Sequence, residues 1–146
     1  MSGTRLSLSI VSIGLLAATV SAQGASQGRP ELGYYGRASV KIRTASGFVI
    51  YIDPYAKGDY SEPADLILVT HGHGDHNQVK LVARKPGTVV AAPAGAVGEA
   101  GAKAVAEGAK LEVGGGKVLV TVLPAANKNH DRAESVGYLL SVDGYV

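Results

Sequence analysis

Three of the chain's four histidines fall within six residues, His71-Gly72-His73-Gly74-Asp75-His76, with a carboxylate between them. Imidazole and carboxylate together suit borderline divalent metals such as zinc, iron or manganese. There is no cysteine, which excludes thiolate ligation, a CxxC redox pair, a thiol nucleophile and a disulfide scaffold. Along an extended segment residues i and i+2 face the same way, so His71 and His73 can aim two imidazoles at one point. Asp75 and His76 follow where a helix is expected to begin, and can turn to a second point close by. Gly72 and Gly74 are read as permitting unusual backbone angles that fold the loop around an ion. Structural zinc sites are usually closed and Cys-rich. A donor set of His and Asp alone therefore favours an open, catalytic site. The fourth histidine, His130, lies in the polar stretch Pro124 to His130; on its own it reads as an ordinary solvent-exposed residue.

These groups need elements to hold them. Leu66-Ile67-Leu68-Val69 has no polar interruption and reads as a strand buried on both faces, delivering the histidines at its carboxyl end. Ala38, Val40 and Ile42 alternate with polar residues, and Phe48 to Ile52 follows the turn Ala45-Ser46-Gly47; the pair reads as a β-hairpin. Asp53-Pro54 closes its second strand. Asp53 is either a turn residue or a group that orients a ligand histidine; Asp65 reads as a strand-start residue. Val79 to Lys85 is expected to form a short helix, and Val89 to Ala91 a buried strand. Pro93 to Gly108 is expected to form an Ala-rich helix, with a glycine-interrupted loop as the alternative. Leu111 to Val113 and Val118 to Leu123 form a second hairpin about Gly114-Gly115-Gly116, and Val136 to Val142 a further strand. The three glycines lack the Lys-Ser/Thr sequel of a phosphate loop, which argues against nucleotide binding. Interspersed helices and strands place the chain in the α+β class.

The 146 residues allow one domain. Residues 1–22 read as a signal peptide: Arg5, an apolar stretch from Leu6 to Val20, and cleavage after Ala22. That stretch is shorter than the roughly 20 residues needed to span a bilayer, so no stable membrane anchor is expected after cleavage. The protein is accordingly expected to be exported, periplasmic or secreted. Residues 23–33 read as a flexible leader and residues 34–146 as the domain. The formal charge of +2 is spread over the chain rather than clustered, so no nucleic-acid partner is expected. The expected partner is a small-molecule substrate.

The string Val69-Thr70-His71-Gly72-His73-Gly74-Asp75-His76 resembles the HxHxDH signature of the metallo-β-lactamase superfamily. The context from Tyr51-Ile52-Asp53-Pro54 through Ala64 to Leu68 is similar to its ascorbate-6-phosphate lactonase-like branch. The resemblance implies an αββα sandwich. It implies His71, His73 and His130 as ligands of one metal and Asp75 and His76 as ligands of a second, with zinc first and iron or manganese as alternatives. It further implies a metal-dependent hydrolase that turns a metal-bound hydroxide on an ester, lactone, amide or phosphoester, with Asp75 also relaying a proton to the leaving group. The superfamily's bridging Asp and final His are not found by Val146. The chain is therefore expected to be the first half, or so, of a longer hydrolase. A short protein with a single-metal His71/His73/His130 site is the alternative, and a non-catalytic metal-binding relative is the competing function.

Overall fold

The computed structural model describes residues 28–126 and 128–146. The expected signal peptide lies outside the described residues. Among the described residues nine strands follow in order: β1 (Glu31–Gly36), β2 (Ser39–Arg43), β3 (Val49–Ile52), β4 (Ala64–Leu68), β5 (Arg84–Ala92), β6 (Lys103–Ala104), β7 (Lys110–Val113), β8 (Val118–Pro124) and β9 (Val136–Val142). Residues 31–33, expected to belong to the leader, are part of β1.

The strands form two sheets, β1-β2-β3-β4-β5-β6 and β7-β8-β9. In the first, β1, β2 and β3 pair antiparallel, whereas β3-β4, β4-β5 and β5-β6 are parallel. The sequence pattern explains the centre. Leu66, Ile67, Leu68 and Val69 are all fully buried. Even-numbered side chains face one core and odd-numbered ones the other, so an uninterrupted apolar run is what this position demands. Leu66 and Leu68 join Phe48 and Ile50 against Leu111, Val118, Val120 and Val122 of the second sheet. Ile67 and Val69 join Val49, Tyr51 and Val90 beneath Tyr60, Val79, Val82 and Ala96, which come from the connecting segments. Each such side chain contributes roughly 1.5–3 kcal/mol on burial.

The expected α+β sandwich is corrected by this architecture. Among the described residues there is no α-helix, only a three-residue 3-10 turn, Val79–Leu81, and the outer face of the large sheet is covered by turns rather than by a helical layer. The expected helix over Val79 to Lys85 stops after that turn because Val82 is extended (φ −83°, ψ 126°) and Arg84 already pairs with Ala64 of β4. The expected helix over Pro93 to Gly108 is broken where Gly95 and Gly101 take φ of 76° and 89°, and Lys103–Ala104 pairs instead with Ala91 and Ala92. Here sheet pairing outweighs the helix preference of a run of alanines.

Both hairpins form as expected. In the second, Gly114 has φ 64°, and a Cβ there would lie 2.5 Å from the Phe48 ring; the turn passes too close to the opposite sheet for any larger residue. No helix among the described residues is long and apolar enough to cross a membrane.

Candidate metal centre

Parallel pairing of β3 and β4 brings their carboxyl ends to the same edge. Asp53 follows β3 and Thr70-His71 follows β4. Asp53 is 1% exposed and has φ 46°, a backbone state that Asp tolerates better than most residues. Its Oδ1 accepts the Thr70 amide at 2.7 Å, and its Oδ2 accepts the Thr70 hydroxyl at 2.7 Å and His76 Nδ1 at 2.9 Å. Thr70 has one hydroxyl proton, and giving it to Asp53 leaves its oxygen to accept from His71 Nδ1 at 2.9 Å. One buried carboxylate thus places the Nδ1 protons of His71 and His76, leaving both Nε2 lone pairs for a metal. Of the two readings of Asp53, the structure favours orientation of a histidine.

The loop is pinned around these groups. Asn77 Nδ2 donates to the carbonyls of Gly72 and Ala96, and Gln78 Nε2 donates to that of Gly74. Neither Gly72 nor Gly74 has a positive φ, contrary to the expectation of unusual backbone angles. Gly72 is small for a different reason: a Cβ there would lie 3.3 Å from Ala96 Cα.

The second sheet supplies the remaining histidine. The Val136 amide donates to the Thr70 carbonyl, and His71 bridges to Ser135. The Ser135 hydroxyl holds the Ala125 carbonyl, and the Tyr138 hydroxyl donates to the Val69 carbonyl at 2.7 Å. The β8–β9 loop, carrying His130, is therefore clamped to the end of β4. Ligand atoms of His71, His73 and His130 all lie within 4.8 Å of one another. The His71 ring centroid is 4.9 Å from that of His73, 4.3 Å from His130 and 3.9 Å from His76. Burial, then the nearby His76 and His130 rings, hold His71 below the ordinary histidine pKa, which keeps its imidazole neutral as ligation requires.

Asp75 and His76 sit beside this trio rather than within it. Asp75 Oδ1 is 3.8 Å from His76 Nε2, and Asp75 Oδ2 is 3.7 Å from Arg37 Nη1. A cleft of about 360 Å³ runs past Thr70, His71, His73, Asp75, His76 and His130. Another, of about 290 Å³, opens over His71, Gly72, His73, His130 and Glu134. Asp65, expected at a strand start, lies in β4 and accepts the Val49 amide. Sequence reasoning missed Thr70, Ser135 and Asn77. Thr70, adjacent to the motif, is the one whose type and place carried a signal.

Buried parallel strands with a histidine-rich loop at their carboxyl ends, closed by a hairpin sheet, define a metal-site scaffold of a known class. Residues 31–146 match the family model described as the beta-lactamase superfamily domain, and the chain belongs to that family. A metal-dependent hydrolase of Myxococcus xanthus is 38% identical over 85 residues, covering 53% of this chain and 30% of that protein. One of Bacillus thuringiensis is 42% identical over 72 residues, covering 43% of this chain and 31% of that protein. The chain thus aligns with about a third of the length of these curated relatives. Among solved structures, a protein of Parabacteroides distasonis named as a metal-dependent hydrolase superposes with a TM-score of 0.67 at 27% identity, covering 79% of this chain and 57% of that one. A diiron β-hydroxylase of Streptomyces venezuelae shares the fold, with a TM-score of 0.56 at 19% identity over 77% of this chain and 27% of its own.

Proposed function

We propose that the chain is the metal-holding part of an exported hydrolase that cleaves an ester, lactone, amide or phosphoester bond in a small molecule. The observation that carries this reading is the convergence of His71, His73 and His130, with ligand atoms within 4.8 Å. The donor set fits a divalent metal: three imidazoles at an open cleft, one of them held in a defined tautomer by Thr70 and Asp53. These three would hold one ion, and Asp75 with His76 would contribute to a second, zinc being the first choice and iron or manganese the alternatives. Such metals, when bound, supply Lewis-acid polarisation and an acidified water. The chain's own residues do the rest. Asp53 fixes the His76 ring, Thr70 fixes the His71 ring, and Asp75 carries a proton at a carboxylate oxygen toward the leaving group. Export rests on Arg5, the apolar run and the small residues before Gln23.

Metal content and hydrolysis, measured on one preparation of the complete hydrolase that carries this chain, test the reading. About two ions per chain and chelator-sensitive cleavage of at least one member of an ester, lactone, lactam and phosphodiester panel are expected. His130→Ala should lose bound metal while keeping its fold, since the side chain sits on a loop. Tightly held metal with no cleavage across the panel would replace this reading with a non-catalytic metal-binding protein. An exported form that still begins at Met1, rather than near Gln23, would refute the signal.

A further inference from the structure

We propose that Ser39 is a positioning residue of the metal centre: its buried hydroxyl holds Asp53 in the left-handed backbone state from which the Asp53 carboxylate orients His76 and, through Thr70, His71. The proposal rests on the metal-holding part of the reading above and not on hydrolysis. Asp53 has φ 46° and is followed by Pro54. Residues with a Cβ avoid that region, and a proline presses its predecessor toward extended angles. Asp53 thus stands where neither its own Cβ nor its neighbour would put it. Such a state persists only where the surroundings over-determine it.

Those surroundings centre on Ser39. In the antiparallel register of β2 and β3, Val40 pairs with Ile52, so Ser39 stands across from Asp53, one step past the end of β3. The Ser39 hydroxyl donates to the Asp53 carbonyl at 2.7 Å and accepts the amides of Tyr55 and Ala56 at 3.1 and 3.0 Å. A serine hydroxyl has one proton to give and two lone pairs to offer, so its whole capacity is committed to this turn. It grips the chain on both sides of Pro54, which has no amide to donate. The Tyr60 hydroxyl assists, accepting the Tyr55 amide at 3.2 Å and donating to the Ala56 carbonyl at 2.9 Å. The Asp53 amide donates to the Leu68 carbonyl, and the Pro54 carbonyl accepts the Gln78 amide.

Ser39 is 0% exposed. A small apolar residue would fill such a place without a desolvation penalty, so a hydroxyl there is explained by the bonds it makes. Those bonds secure the direction of a side chain. Released from Ser39, Asp53 can return to an extended φ, and its carboxylate then leaves the Thr70 amide, the Thr70 hydroxyl and His76 Nδ1 that it now meets. His76 loses the acceptor that keeps its proton on Nδ1, and Thr70 loses the fixed oxygen that takes its own. Ser39 hydrogen-bonds neither histidine; it acts on them through Asp53.

The test uses the complete hydrolase that carries this chain, with Ser39→Ala, Ser39→Cys, Asp53→Asn and the double variant Ser39→Ala/Asp53→Asn. Long-range proton–nitrogen NMR spectra of histidine-labelled, metal-free protein report which ring nitrogen carries the proton. The wild type should show His71 and His76 protonated on Nδ1, and in Ser39→Ala the His76 proton should move to Nε2. Competition with a chromophoric chelator should show zinc held about tenfold or more weakly by Ser39→Ala. Adding Ser39→Ala to Asp53→Asn should weaken zinc by less than about twofold more, because the carboxylate it positions is already gone. A merely structural hydroxyl would lower the urea midpoint and leave tautomer and zinc affinity as in the wild type; that result overturns the proposal, as do zinc losses that multiply independently in the double variant. Should Ser39→Ala fail to fold, Ser39→Cys, which nearly keeps the volume but offers only a weak thiol, is read in its place, and wild-type tautomers and zinc affinity there overturn the proposal equally. A wild type that holds no zinc, iron or manganese, with the His76 proton still moving in Ser39→Ala, would overturn the metal reading and leave the action of Ser39 on Asp53 standing.

Discussion

Asp53→Asn removes one charge and one acceptor while keeping the size of the side chain and a residue type that tolerates φ 46°. Asp53 is buried and accepts from the Thr70 amide, the Thr70 hydroxyl and His76 Nδ1. In the variant the remaining oxygen can keep the amide, but an NH2 group faces the other two partners. Hydrogen bonds to a buried charge are each worth about 1.5–3 kcal/mol. The neighbours can recover part of that loss in one way. Thr70 turns its oxygen toward the new NH2 and gives its proton to His71 Nδ1, while His76 Nδ1 becomes an acceptor. Both imidazoles then carry their proton on Nε2, the nitrogen a metal would need. Recovering stability therefore costs ligand capacity. The expected net loss is about 2 kcal/mol for the metal-free protein, and about 10- to 100-fold in metal affinity. Urea unfolding without metal reads the first, and competition with a chromophoric chelator reads the second. A variant within about 0.5 kcal/mol of wild type, competing at the same chelator concentration, would refute the tautomer argument.

Two further perturbations probe the frame. Gly114→Ala drives a Cβ to 2.5 Å from the Phe48 ring at φ 64°, and should lower stability by about 2–3 kcal/mol; an unchanged urea midpoint would show that the hairpin can swing away from the large sheet. The Arg84 guanidinium, bonded to Glu99 through two nitrogens, holds the Glu99 carboxyl below its ordinary value of 4.5. A depressed carboxylate stabilises the fold fully above the ordinary value and ceases to do so as pH falls through the folded one. Because the pair is partly exposed, the difference between wild type and Glu99→Gln should be below about 1 kcal/mol at pH 6, and absent at low pH. A gap that persists at low pH would place the effect in packing rather than charge.

What the sequence made legible divides along a physical line. The strands around the site were readable because their alternation, or its absence between Leu66 and Val69, follows from which faces are buried. The clustered histidines were readable because ligand geometry imposes a short spacing on an extended chain. The helical layer was misread because a run rich in alanine around Gly95, Gly98 and Gly101 carries too weak a helix preference to resist pairing of Lys103–Ala104 with β5. Thr70 and Ser135 act through contacts between segments tens of residues apart, and Arg37 reaches Asp75 across 38 positions of chain. No local pattern announces such contacts. Asp53 fell between these cases: its Asp-Pro context is that of any turn, and only the parallel register of β3 with β4 brings it beneath Thr70.

That register also settles why the site needs both sheets. His71 and His73 lie on the loop that follows β4 of the large sheet, whereas His130 arrives on the loop between β8 and β9. The junction is made by the Val136 amide on Thr70, the His71–Ser135 bridge and the Tyr138 hydroxyl on Val69. A ligand held by all three histidines binds only when the sheets are docked, so its binding free energy adds to their docking. At a hundred times the dissociation constant that amounts to about 2.7 kcal/mol, comparable with burying one of the leucines between the sheets. The apolar interface and the histidine cluster are then two parts of one equilibrium. A substitution that loosens Phe48 against Gly114 should weaken metal binding from the far side of the interface, without touching a ligand.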